Sequence, residues 1–159
     1  MLNRLLLYIL TGLLIAGGIT GCSRRPIIHH YEQVPLNGWT PGDTIKFRID
    51  SVKTGGNYLP VIGIRTSATV PFPYRSLWLA VHQQWYAPDS SRTDTLKCVL
   101  TDDNGDIIGH GVSIYQYTFS LSPRYLNAGS SADISVSHIM RNDILPGITE
   151  IGLLIKPQD

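Results

Sequence analysis

Two thiols and five histidines are the side chains here best suited to covalent or acid–base chemistry: Cys22, Cys98, His29, His30, His82, His110 and His138. A structural or catalytic metal site needs such groups at short fixed spacings, and neither Cys-x-x-Cys nor His-Glu-x-x-His occurs. His29 and His30 stand near the N-terminal segment and read as solvated. His82 falls in an alternating pattern and reads as a satisfied core or face residue, while His110 sits by a turn between two glycines. Asp102-x-Asn104-x-Asp106 has the spacing that opens an EF-hand loop. That loop needs Gly at its sixth position and Glu at its twelfth, where this chain has Ile107 and Ser113. No G-x-S-x-G elbow, P-loop or dinucleotide fingerprint is present. A pair of carboxylates for glycoside hydrolysis is a spatial property, and nothing in the sequence selects one. The expectation is therefore no catalytic residue, no metal and no cofactor.

Cys98 lies in "TDTLKCVLTD" on the same alternating face as Leu96 and Leu100, which reads as a small buried hydrophobe. Cys22 has a different setting. Residues 1–4 carry one positive side chain, Arg4, and residues 5–19, "LLLYILTGLLIAGGI", are apolar or small throughout. That run falls short of the roughly 20 residues a spanning helix needs and matches the middle of a secretory signal peptide. Ile19, Thr20 and Gly21 then precede Cys22, and this order of aliphatic, small, Gly, Cys resembles a bacterial lipobox. An uncleaved anchor is the competing reading, undercut by the short run and by Gly17-Gly18. A Cys22–Cys98 disulfide is another. The lipobox reading makes 1–21 a lipoprotein signal peptide and Cys22 the lipid attachment site. Several acyl chains, at about 0.8 kcal/mol per buried CH2, then hold the protein on a membrane.

The elements that carry these residues are legible from period and punctuation. Residues 22–43 contain Pro26, Pro35, Pro41, Gly38 and Gly42, and read as a lipid-anchored tether with an irregular lead-in that packs through Trp39. From Thr44 the hydrophobic period is close to two. "TIKFRID" places Ile45, Phe47 and Ile49 on one face and Lys46, Arg48 and Asp50 on the other. Further strands are expected at 58–67, 76–85, 93–102, 112–122, 131–140 and 147–157. The stretch 76–85 reads as a central strand apolar on both faces at its start, and "DNGD" (103–106) as a hairpin joining its two flanking strands. No stretch sustains a 3.6-residue period. The expectation is an all-β domain over 44–159, an antiparallel β-sandwich or jelly roll of about seven to eight strands, with a half-open barrel as the alternative.

Removing residues 1–21 leaves 12 basic and 12 acidic side chains, a balance that gives no broad attraction to nucleic acid. Tyr115, Tyr117 and Phe119 alternate on one face of 112–122. Exposed, they would make a sugar-stacking platform; buried, half of a sandwich core, which is the reading favoured here.

Beyond these local readings, the ordered set "YEQVPLNGW", "DTIKF", "FPYRSLWLAV", "TDTLKCVLTDDNGDIIGHG" and "HIMRNDILPGITEIGLLI" resembles the GldH family of gliding-motility lipoproteins of the Bacteroidetes. The likeness runs through the mature chain in order; one acidic position after Arg141 is matched only by Asn142 and then Asp143. It implies a non-enzymatic, outer-membrane-associated lipoprotein, an accessory or structural component of gliding motility or of the linked type IX secretion route. Its partners would be the membrane, through N-terminal acyl groups, and other motility or secretion envelope proteins. The resemblance brings no established ligand, so a small-molecule ligand is left unknown. Surface-exported lipoproteins of that phylum tend to be acidic just after the cysteine. Ser23-Arg24-Arg25 here points instead to a periplasm-facing protein, its arginines adding about 1 kcal/mol each on anionic headgroups. The alternative function is a lipid-anchored glycan-binding module. The turn in "RNDILPGI" is the expected partner-docking loop, through Arg141, Asp143, Leu145 and Pro146.

Overall fold

The computed structural model describes residues 25–142 and 144–158. Among them are nine strands and no helix: β1 (Ile28–Gln33), β2 (Ile45–Ile49), β3 (Gly56–Ser67), β4 (Ser76–Tyr86), β5 (Ser90–Val99), β6 (Ile114–Ser120), β7 (Arg124–Leu126), β8 (Ser131–His138) and β9 (Ile148–Pro157). One sheet runs β1-β9-β3-β6, with β7 also pairing β3; the other runs β2-β8-β4-β5, and every pairing is antiparallel. The chain changes sheet at every connection except the β4–β5 hairpin and the short step from β6 to β7. This is the double-sheet jelly-roll arrangement, and the all-β sandwich expected from the sequence is the fold.

The period of two builds it. Ile45, Phe47 and Ile49 of β2 point into the sandwich while Lys46 and Arg48 point out. Leu77, Leu79, Val81 and Trp85 of β4 meet Ile62 and Ile64 of β3 and Ile151, Leu153 and Ile155 of β9 across the sheets. β4 is central, as expected, but only one of its faces is covered: Trp78, His82 and Tyr86 face out.

Two expectations need correction. The lead-in over 22–43 contains β1, which pairs along its whole length with β9, so the sandwich starts well before residue 44. And Asn104-Gly105 does make a tight turn, with Gly105 at φ +89° and Asp102 Oδ1 accepting from the Asn104 and Asp106 amides. That turn closes only on the local Thr101–Ile107 bridge, while β5 and β6 belong to different sheets. A local turn signal says nothing about which sheet the next strand joins.

β1 is an edge strand, and one side chain pins it. The Tyr31 ring lies across Gly152 of β9 and Gly63 of β3, so a Cβ built at Gly152 would stand 2.5 Å from Tyr31 Cε1 and one at Gly63 would stand 2.3 Å from its hydroxyl. The Arg65 guanidinium covers the ring at 3.8 Å and donates to Glu150 Oε2 at 2.5 Å. Desolvation raises the Tyr31 pKa. Gly152→Ala is expected to cost about 1–2 kcal/mol by lifting the ring off the sheet, and to cost little in a Tyr31→Ala background. Equal losses in both backgrounds, measured by denaturant unfolding, would show that the ring is not the obstacle.

Candidate functional site

The sheet crossings sort the loops into two ends. The β1–β2, β3–β4, β5–β6 and β8–β9 connections share one end; the β2–β3, β4–β5 and β6–β8 connections share the other. The first strand starts at the second end, where Ile28 pairs with Ile155 and Tyr58 with Pro157. Backbone hydrogen bonds tie the four-loop end together: Trp39 and Leu145 exchange both N–H···O bonds at 3.0 and 2.9 Å, Ser67 donates to Gly147, Ala68 to Ser113, and Leu100 to Arg75.

Exposed apolar side chains gather there. Of the eleven large hydrophobics with substantial exposure among the described residues, nine lie on these loops or the strand ends beside them, including Leu36, Val70, Ile107, Val112, Ile139 and Ile144. Leu36 is fully exposed and Val112 is 87% exposed. Leu36, Val70 and Pro146 border a cleft of about 260 Å³. Such a concentration on one end is what a contact surface has and what a solvated loop cluster does not need. The sequence carried a signal for it: aliphatic residues set among Gly, Pro, Asn and Asp in "VPLNGW", "ATVPFP", "GDIIGHG" and "NDILPG".

The expected docking residues divide accordingly. Arg141 and Pro146 are exposed at this end. Leu145 is 0% exposed and lies against Trp39, so it supports the loop from within and offers no surface to a partner. Cys22, the expected signal peptide over 1–21, and Asp143 lie outside the described residues.

Beneath the loops sits a polar group that sequence reasoning passed over. His138 is buried beside the Trp39 ring, 5.4 Å away edge to face, and neither of its ring nitrogens has a hydrogen-bond partner among the described residues. Burial pushes its pKa below the usual 6.5, the Trp39 backbone and the Asp43 carboxylate pulling part-way back. Because the folded pKa lies below the unfolded one, the unfolded chain binds the proton first as pH falls. Stability is full above about pH 6.5 and declines as pH drops from there towards the folded pKa. The expected result is a lower unfolding midpoint at about pH 5.5 than at about pH 7.5, with the difference reduced in His138→Leu. An undiminished difference in that variant would place the titration elsewhere.

The other chemical candidates are placed as follows. Cys98 is buried, and desolvation pushes its pKa up to about 12, which leaves an inert thiol. His29, His30 and His110 are exposed, and exposed His82 shares a hydrogen bond with Thr93 on the outer face. Tyr117 points inward at 7% exposure, with Tyr115 and Phe119 packed partly against the core, so the favoured core reading stands. A cavity of about 580 Å³ between β5 and β6 is lined by Ile108, His110, Gln116 and Tyr117 among others, with no carboxylate or thiol in its wall. Among the described residues no three His, Cys, Asp or Glu side chains come together as a metal site, and no helix is long and apolar enough to cross a membrane.

Comparison with known proteins adds the following. Among solved structures, the chain is similar to Eiger TNF from S. frugiperda, at 11% identity over 85% of this chain and 95% of that one, with a TM-score of 0.39. It is also similar to a family 35 carbohydrate-binding module from Clostridium thermocellum, at 14% identity over 82% and 88% of the two chains, with a TM-score of 0.39. At such scores neither likeness supports an inference about this chain. No curated protein sequence matches it. The model of the GldH lipoprotein family, in contrast, matches residues 26–155, from just before β1 into the last strand. That span takes in both sheets and all four clustered loops, and on it the chain belongs to the GldH lipoprotein family, as a lipid-anchored, membrane-associated protein.

Proposed function

We propose that this protein is a non-enzymatic accessory lipoprotein of the outer membrane, facing the periplasm, that joins the gliding-motility or linked type IX secretion machinery through its four-loop end. The observation that carries the reading is the placement, among the described residues, of nine exposed apolar side chains at the end opposite the start of β1. A tether at one end and an apolar surface at the other is the layout of a protein that holds a partner away from the bilayer. Family membership supports the gliding context. Ser23-Arg24-Arg25 directly after Cys22 supports the periplasmic face. The partner is an envelope protein presenting a complementary apolar patch.

The test is recovery of the acylated protein from native envelope in mild detergent, alongside a variant with Leu36 and Ile144 changed to serine. Motility or secretion envelope proteins recovered with the wild type and lost with the variant support the reading. A protein recovered alone, or equal recovery with both, sinks it.

A further inference from the structure

The end through which the chain enters the sandwich differs from the four-loop end in character. Among the described residues its exposed large hydrophobics are two tyrosines, Tyr86 at 40% and Tyr125 at 64% exposure, and none is aliphatic. Tyrosine, with an apolar ring and a polar tip, is the side chain enriched where protein meets the headgroup layer. The strands and loops of this half of the sandwich carry Arg25, Arg48, Lys53, Arg92, Arg124 and Lys156, against Asp50, Asp89, Asp94 and Asp133. The carboxylates are largely engaged: Asp50 pairs with Arg48, Asp94 with Arg92, and Asp133 accepts from the Tyr86 hydroxyl. Among the described residues, Arg25, Lys53 and Lys156 have no carboxylate within ion-pair distance. Arg25 and Lys53 also border one cleft of about 340 Å³ that opens at this end.

The tether decides what this surface faces. Arg25 is three residues beyond Cys22, a span of at most about 11 Å. That is close to the Debye length of about 8–10 Å at physiological salt, so Arg25 stays within the field of an anionic bilayer to which Cys22 is bound, and Lys53 stands on the same cleft as Arg25. We propose that this end of the sandwich lies directly on an anionic lipid surface, with Arg25, Lys53 and Lys156 against headgroup phosphates and Tyr86 and Tyr125 at the interface. The contact fixes the long axis of the domain and aims the four-loop end away from the membrane. The inference rests on Cys22 as the acylated residue, and its test reads the opposite end of the molecule from the partner experiment.

Hydrogen exchange on the acylated protein in nanodiscs tests it, with phosphatidylcholine alone compared with a phosphatidylglycerol mixture. In the anionic discs, amides over 51–55 and 127–129 should exchange about fivefold more slowly, as expected for about one cation's worth of attraction. About 0.5 M salt should abolish the difference. Lys53→Glu with Lys156→Glu should remove it while β3 and β4 keep their protection. Equal exchange in both lipids overturns the proposal, and so does slowing over 36–43 and 107–113, which would turn the domain over. Protection reproduced in neutral discs by inorganic phosphate assigns a free-phosphate site instead of a membrane contact. A chain that never enters the disc fraction overturns the anchor at Cys22 and this inference with it.

Discussion

Leu145→Ala is expected to lower the unfolding free energy by about 3 kcal/mol, within the 2–5 kcal/mol typical of a fully buried leucine. The side chain has no exposure, and its backbone is locked to Trp39 by two hydrogen bonds. Trp39 in turn donates its indole N–H to the Asp43 carbonyl at 2.7 Å and packs on His138, so the cavity would open under a wall that cannot collapse freely. Chemical denaturation would measure the loss directly. A loss below about 1 kcal/mol, with the partner gone, would return Leu145 to the contact surface and reverse the assignment made from its burial.

The opposite behaviour is expected one residue earlier. Ile144 is exposed, and so is Leu36 on the neighbouring loop. Changing both to serine should leave stability within about 0.5 kcal/mol, because neither fills the core. If either anchors a partner at the usual hot-spot level of about 2 kcal/mol, affinity falls about 30-fold, and the pair falls by at least that much. The two contributions need not add, since Ile144 and Leu36 flank the same loop junction. Titration of the purified partner against both proteins would measure the change. Unchanged affinity would move the docking surface off these two loops, and a lowered melting temperature in the serine variant would mean that they are structural.

These two results are opposed although Leu145 and Ile144 are adjacent in "NDILPG". Composition marks the segment as a turn carrying apolar residues, but it cannot say which aliphatic turns inward. That depends on Leu145 meeting Trp39, more than a hundred residues away along the chain. The same limit hid β1. Pro26, Pro35 and the short polar run "HHYEQ" look like a tether because the apolar partner for this strand is supplied by β9 at the far end of the sequence. Tyr31 looks ordinary until Gly63 and Gly152 arrive beneath it from two other strands. Asn104-Gly105 makes the turn its chemistry predicts but joins strands of different sheets, for the same reason.

By itself, the sequence determined the class of fold, the seven longer strands beyond residue 44, the inert setting of Cys98 and the family. Each follows from local period, turn chemistry or ordered motifs, which are properties of neighbouring residues. Only the tertiary structure decided the number of strands, the partition of strands between sheets, and the separation of an apolar four-loop end from a basic, tyrosine-bearing entry end. Those depend on crossings between sheets, which bring together residues that no local spacing relates. The surface of this protein is therefore a product of topology, while its core was already written in the alternation of its side chains.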